Sequence, residues 1–184
     1  MRKLFVSNLM SLDGLFETTD HKLDWFVIDD EFLDYADDML RSVDLILFGR
    51  KTYEIMAAFW PSARDRNAEH MNSLAKIVFS KSLARADWQN TRLVRDNAAD
   101  EVARLKQQPG KDIVILGSAM LASSLLAQGL IDEYRVILNP VLLGHGNPLF
   151  KDVRQKIALR LSGARSFGSG VSVLYYQKPQ QFDI

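Results

Sequence analysis

The sequence contains no cysteine among its 184 residues. Disulfide bonds, thiolate nucleophiles and thiolate metal sites are therefore excluded, and the composition is compatible with a reducing compartment. No apolar run approaches the roughly 18 uncharged residues that a membrane helix needs. The apolar run that follows Arg2 and Lys3 breaks at Ser7, which is too early for a signal peptide. We therefore expect a cytoplasmic protein with no membrane partner.

The chain also lacks an excess of charge of either sign. It has 23 lysines and arginines against 23 aspartates and glutamates, so it offers no overall cationic field for nucleic acid. Its three histidines, His21, His70 and His145, show neither HxH nor HExxH spacing, and no metal site is expected. The GxxxxGK[ST] loop, the GxGxxG fingerprint and the GxSxG elbow are all absent. These absences disfavour P-loop triphosphatases, the usual dinucleotide fold and α/β-hydrolases.

What is present is an alternation of short apolar runs with helical patterns, which indicates an α/β fold with helices on the faces of a sheet. We predict one domain over residues 1–178 and a C-terminal tail over 179–184. The expected strands are 4–9, 45–48, 77–79, 92–94 and 113–116, and the expected helices are 29–43, 51–59, 97–107 and 118–128. After residue 134 the patterns at 134–138, 158–162 and 171–177 predict strands without a long helix between them. The prediction is therefore a mostly parallel sheet of about eight strands with antiparallel C-terminal strands and about four helices.

The segment around Gly49 carries the strongest functional signal. A buried strand runs through this single glycine into a helix that begins with Arg50, Lys51 and Thr52. Glycine lets the backbone approach a ligand, and the free N–H groups of the first helical turn attract anions. The segment therefore predicts a phosphate-binding site. The alternative is an ordinary strand-to-helix junction with solvated basic side chains.

Two further junctions follow the same design. The aliphatic run 113–116 leads into Gly117 and Ser118 at a helix start with Ala119 and Met120, and the run 77–79 ends in Ser80 and Lys81. Open α/β sheets bind ligands beyond the carboxyl ends of their strands. We therefore expect the three strand ends to line one crevice.

These residues in this order resemble the dihydrofolate-reductase-like superfamily, and the resemblance covers residues 3–177. The run from Gly49 to Thr52 resembles the Gly-Arg-x-Thr motif that seats the NADPH phosphates in that family. Ser80 and Lys81 resemble its strand end near the adenosine 2′-phosphate. Gly117 and Ser118 stand where the family carries a Gly-Gly pair against the pyrophosphate. The resemblance implies a three-layer α/β sandwich that binds NADPH.

Two other segments resemble one branch of the superfamily. Ser11-Leu12-Asp13-Gly14 and the run 139–146 are similar to the C-terminal reductase domain of the bifunctional riboflavin-biosynthesis deaminase/reductase. Folate reductases place an arginine six residues before the serine of the Ser-Lys motif, where this chain has Leu74. A folate carboxylate would lose its charged partner there, so folate reduction is disfavoured.

The resemblance also suggests substrate residues. Asp30 follows Trp25 by five residues, the spacing at which folate reductases hold the pterin ring with a carboxylate. Asp13, with Ser11 beside it, is the rival candidate for contacting substrate, and either aspartate could deliver a proton. The alternatives are a helix-dipole role for Asp30 and a turn-forming role for Asp13.

Together the patterns predict an NADPH-dependent reductase of a small nitrogen heterocycle or imine, such as a pyrimidine, a pterin or a riboflavin-pathway compound. The resemblance further implies a homodimer. A nucleotide-binding module without catalysis is the main alternative, since the Gly-Gly pair is incomplete. Flavin binding without nicotinamide is a third.

Overall fold

The structure is a computed structural model, and it describes residues 1–20, 22, 24–150, 153 and 155–179. Its elements alternate along the chain as the apolar runs predict. The strands are β1 (Leu4–Ser11), β2 (Leu15–Glu17), β3 (Val43–Gly49), β4 (Ala75–Phe79), β5 (Thr91–Val94), β6 (Asp112–Leu116), β7 (Glu133–Asn139), β8 (Asn147–Pro148), β9 (Arg160–Ser166) and β10 (Ser172–Gln177). The helices are α1 (Asp30–Arg41), α2 (Arg50–Phe59), α3 (Ala68–Ser73), α4 (Ala98–Gln107) and α5 (Ala119–Ala127), with a 3-10 turn at Trp60–Ser62.

Eight strands form one sheet in the order β5-β4-β3-β6-β1-β7-β10-β9. The first six of these are mutually parallel, and β10 runs antiparallel to both β7 and β9. The short strands β2 and β8 pair in a separate antiparallel ribbon. The predicted mostly parallel sheet with antiparallel C-terminal strands is confirmed.

Alternate residues of the central strands face opposite layers of helices, which makes the fold a three-layer sandwich. On one face, Leu47 and Ile115 pack in the same apolar cluster as Leu125 of α5. On the other face, Ile46 and Phe48 cluster with residues of α1 and α2. Strand β6 lies between β3 and β1 and is apolar on both faces, as its aliphatic sequence predicts.

The structure differs from the sequence prediction at several points. The helix predicted over 29–43 ends at Arg41, and Val43 begins β3 instead. The described residues form five α-helices where about four are expected, because the six residues of α3 are too few to show a helical period. Strand β9 spans 160–166 rather than 158–162, and its mostly exposed side chains explain why the sequence alternation did not define its register. The ribbon strands β2 and β8 have only three and two residues and escaped prediction.

In the part of the chain that the structure describes, no helix combines the length and the apolar composition needed to cross a bilayer.

At Gly117, both the backbone conformation and the packing require a glycine. Its φ is +59°, and a Cβ there would lie 2.9 Å from Cγ2 of Thr52. Gly144 has a similar φ of +72° with no atom within 4 Å of a Cβ. We therefore expect Gly144→Ala to lower the free energy of unfolding by about 1 kcal/mol, because only the left-handed backbone conformation disfavours the added Cβ. Gly117→Ala should cost about 2–4 kcal/mol, because it adds overpacking to the same backbone penalty.

Urea denaturation of the two variants measures these free energies of unfolding. Equal losses at the two positions would show that the β6–α5 junction does not press against Thr52 and would contradict the packing described here.

Candidate functional site

The carboxyl ends of β3, β4, β5 and β6 meet at one edge of the sheet because these four strands are parallel and adjacent. A cleft of about 800 Å³ lies at this edge, a volume that fits a small-molecule or cofactor site. Its lining residues come from the ends of strands and the first turns of helices. The lining consists of Phe16, Glu17, residues 49–52, residues 54 and 55, residues 79–81, residues 94–98, residues 118–121 and Ser124.

Nine of the residues predicted to hold the cofactor line this cleft together. They are Gly49, Arg50, Lys51, Thr52, Ser80, Lys81, Ser118, Ala119 and Met120. The tenth, Gly117, is not among the lining residues, and a Cβ at this position would lie 2.9 Å from Cγ2 of Thr52. The structure thus brings together the three strand ends that the sequence singles out.

Two hydrogen bonds join the β3–α2 junction to the β6–α5 junction. The backbone N–H of Gly49 donates to Oγ of Ser118 at 2.9 Å. In return, the N–H of Ser118 donates to Oγ1 of Thr52 at 3.0 Å. Each junction supplies one acceptor to the other, so the first turns of α2 and α5 lie side by side.

The N-termini of α2 and α5 differ from those of the other long helices. In the described part of the chain, neither receives a side-chain capping bond and neither has an acidic residue in its first turn. Helix α1 is capped by Asp29 and carries two acidic residues there, and α4 carries Asp100 and Glu101. Uncapped N–H groups and an unopposed helix dipole attract an anion. The first turns of α2 and α5, which line the cleft without acidic side chains, are therefore suited to phosphate.

Basic side chains of α2 add positive charge to this end of the cleft. Arg50 is held by Glu54 one turn further along the helix, at 3.3 Å. For Lys51 the described residues supply no ion-pair partner within 4 Å, and its side chain is exposed. An exposed lysine beside uncapped amides can close on a phosphate.

The outer end of the cleft, beyond β4 and β5, carries a second group of charges. The ammonium of Lys81 lies 3.5 Å from the carboxylate of Asp96. The guanidinium of Arg95 is engaged by the backbone, since it donates to the carbonyl groups of Leu83 at 2.9 Å and Ala84 at 3.1 Å. Lys81 is thus the cation here that a ligand can reach by displacing one exposed carboxylate.

The residues that sequence reasoning missed come mainly from the β5–α4 junction. Arg95, Asp96, Asn97 and Ala98 all line the cleft. The strand at 92–94 and the helix start at Asn97 were both predicted, and the strand-end rule applied to them would have added this fourth junction. Asn97 occupies the N-cap position of α4, but its side chain gives the helix no capping bond.

A comparison with models of protein families assigns the chain to one family. The model of the RibD C-terminal domain matches residues 2–173. The chain belongs to the RibD C-terminal domain family. Two curated relatives from Bacillus subtilis (strain 168) are the uncharacterized proteins YyaP and YwjB. YyaP is 36% identical over 95% of this chain and 94% of its own length, and YwjB is 32% identical over 95% and 97%.

Solved structures show the same fold. A protein from Shewanella sp. PV-4 that is named for riboflavin biosynthesis has a TM-score of 0.78 and 21% identity, over 97% of this chain and 99% of that one. A diaminohydroxyphosphoribosylaminopyrimidine deaminase/5-amino-6-(5-phosphoribosylamino)uracil reductase from Thermotoga maritima has a TM-score of 0.70 and 14% identity, over 97% of this chain and 57% of that one. At these identities the likeness establishes the fold of this RibD C-terminal domain.

Asp13 of this RibD C-terminal domain joins two loops. Its carboxylate accepts a hydrogen bond from Oγ of Ser11 at 2.6 Å and from the N–H groups of Gly144 at 2.7 Å and Leu143 at 3.1 Å. These hydrogen bonds lower the pKa of Asp13 to about 2, and the bond from the Ser11 hydroxyl has a larger effect than those from the two amides. A carboxyl group with so low a pKa is ionised at neutral pH and carries no proton to deliver.

Asp30 and Trp25 lie in the segment that leads into α1. The side chain of Asp30 is 90% exposed and pairs with Arg66 at 3.2 Å. Trp25 is half-buried against the edge of Phe26, and its indole N–H has no hydrogen-bond partner among the described residues. Neither residue lines the 800 Å³ cleft, and neither do Asp13 and Ser11. Their assignment to substrate and proton transfer stays a prediction.

The loop-joining contact of Asp13 can be tested by Asp13→Asn. An amide keeps only one acceptor oxygen, so amide hydrogen exchange at Leu143 and Gly144 should become several-fold faster. The folded pKa lies below the unfolded value of about 3.9, so the wild-type contact should persist at any pH above that value and weaken as the pH falls toward about 2.

Asp20→Asn is the matched control, since Asp20 also has its pKa lowered to about 2 by its own loop but has no bond to residues 143 and 144. Unchanged exchange in Asp13→Asn would show that this carboxylate does not hold the two loops together.

Proposed function

We propose that this protein is an NADPH-dependent reductase that transfers a hydride to a small nitrogen heterocycle or imine. The observation that carries the proposal is the pair of uncapped helix N-termini, α2 and α5, locked side by side at the carboxyl edge of a parallel sheet. Membership of the RibD C-terminal domain family supports a reductase. The name of the Thermotoga maritima neighbour supports a pyrimidine as the acceptor.

The chemistry of the cleft suits the parts of a dinucleotide. The amides of residues 50–52 and 119–121 would hold the pyrophosphate, because each first turn presents N–H groups without intrahelical acceptors. Apolar side chains alternate with these polar groups on the walls, among them Phe16, Ile55 and the 81% exposed Met120. Exposed apolar surface of this kind suits flat ring systems.

When bound, NADPH supplies the hydride, so the chain itself has to hold and orient the cofactor against the acceptor. The proton that completes the reduction comes from water or from a carboxyl group, with Asp13 and Asp30 as the candidates in the sequence. The ionised state of Asp13 at neutral pH favours water as the source.

Titration with NADPH tests binding directly through the rise in nicotinamide fluorescence. Thr52→Val should weaken NADPH binding by about tenfold, because it leaves the Ser118 N–H without its acceptor and frees the α5 junction. Thr52→Ser keeps the hydroxyl and should bind within about twofold of wild type. Equal affinity of the valine and serine variants would show that the hydrogen bond between Ser118 and Thr52 does not contribute to NADPH binding.

Lys81 makes the preference for NADPH over NADH testable. Lys81→Ala should weaken NADPH by roughly three- to tenfold and leave NADH nearly unchanged, since only NADPH carries the 2′-phosphate. Equilibrium titrations with both nucleotides measure the ratio. Equal losses for the two nucleotides would argue against a 2′-phosphate contact.

A nucleotide-binding module without catalysis is the second candidate. It is favoured by the placement of Asp13, Asp30 and Trp25 away from the cleft lining. A screen of NADPH oxidation against pterins, quinazolines, flavins and aminouracils separates the two functions. Binding without turnover of any acceptor would support the module.

We also propose that two copies pair as a homodimer. Strand β9 closes one end of the sheet with β10 as its single strand neighbour among the described residues. Leu159 and Leu161 at this edge are exposed. Sedimentation equilibrium should give twice the chain mass, and a monomer at micromolar concentration would contradict the pairing.

A further inference from the structure

Asp96 places a negative charge beside the cation expected to meet the 2′-phosphate. Its carboxylate lies 3.5 Å from the ammonium of Lys81, and the two side chains are 70% and 84% exposed on the cleft. We propose that Asp96 determines how strongly the cleft prefers NADPH to NADH, by competing with the 2′-phosphate for Lys81. This inference rests on the proposed function and adds a specificity-determining residue to it.

The sheet brings the two residues together. Strands β4 and β5 are adjacent and parallel, with Phe79 opposite Val94 at their carboxyl ends. The N–H of Ser80 continues the ladder by donating to the carbonyl group of Val94 at 3.0 Å. Lys81 and Asp96 each follow their strand by two residues, so the backbone register holds the ion pair in place.

Of the two basic side chains that line the cleft directly after β4 and β5, Lys81 is the more available to a phosphate. The guanidinium of Arg95 already donates hydrogen bonds to the carbonyl groups of Leu83 and Ala84. The basic residues Arg50 and Lys51 follow β3 rather than β4 or β5, and Arg50 pairs there with Glu54. The charge that a 2′-phosphate meets at the ends of β4 and β5 therefore depends on Lys81 and on how far Asp96 offsets it.

The two nucleotides differ in how they respond to a carboxylate. The 2′-hydroxyl of NADH can donate a hydrogen bond to Asp96, as acidic residues after strand ends do in other dinucleotide sites. The 2′-phosphate of NADPH is repelled by the carboxylate and must displace it to reach Lys81. Asp96 therefore favours NADH and lowers the preference for NADPH that Lys81 creates.

Asp96→Asn should tighten NADPH binding by roughly three- to tenfold and leave NADH unchanged or weaker, as measured by nicotinamide fluorescence titration at low ionic strength. The gain should shrink in high salt, since it is electrostatic between exposed groups. It should also shrink in a Lys81→Ala background, where Asp96 has no cation left to occupy.

Asp87→Asn is the matched control. It makes the same change in net charge at an exposed aspartate that pairs with Arg85 and does not line this cleft. It should not change the affinity ratio of the two nucleotides.

The outcomes separate the two proposals. If wild-type protein binds neither nucleotide, the proposed function fails and this inference fails with it. If both nucleotides bind and Asp96→Asn leaves their ratio at the value of the Asp87→Asn control, the reductase proposal stands and the role of Asp96 is overturned.

Discussion

The site depends on two hydrogen bonds that cross from one strand-to-helix junction to the other. Ser118 accepts from the backbone of Gly49 and donates its own N–H to Thr52, so neither helix can shift its first turn without leaving a polar group unpaired. Gly117 makes this possible, because any larger residue would press against Thr52. The N-termini of α2 and α5 then line one cleft at the sheet edge, where an anion would interact favourably with both helix dipoles.

The parts of the site that the sequence predicts are those with a local signal. An aliphatic run followed by glycine and a helix start identifies β3–α2 and β6–α5, and the parallel order of the strands places both junctions at the same edge. The β5–α4 junction has no glycine and only a four-residue strand before it, so its contribution of Asp96 was missed. The register of β9 was misjudged because its exposed side chains carry no alternation between core and solvent.

Substrate residues were harder to predict, for a different physical reason. A loop motif such as Ser11-Leu12-Asp13-Gly14 shows that a carboxylate is present but does not show what it contacts. The partners of Asp13 are amides at positions 143 and 144, about 130 residues away in the chain, and only the folded structure brings them together. The five-residue spacing from Trp25 to Asp30 likewise does not show which way the Asp30 side chain points, and in the structure this side chain pairs with Arg66. Chemistry that relies on backbone geometry can thus be recognised in the sequence sooner than chemistry that relies on side-chain direction.

The central claim is that the first turns of α2 and α5 form a single phosphate-binding site. The most direct test is an NMR titration with NADPH that follows every backbone amide. If the two first turns bind one ligand, the largest chemical-shift changes fall on residues 50–52 and 119–121 and follow a single dissociation constant. Shifts that leave both first turns unmoved, or that move one and not the other, would contradict this claim.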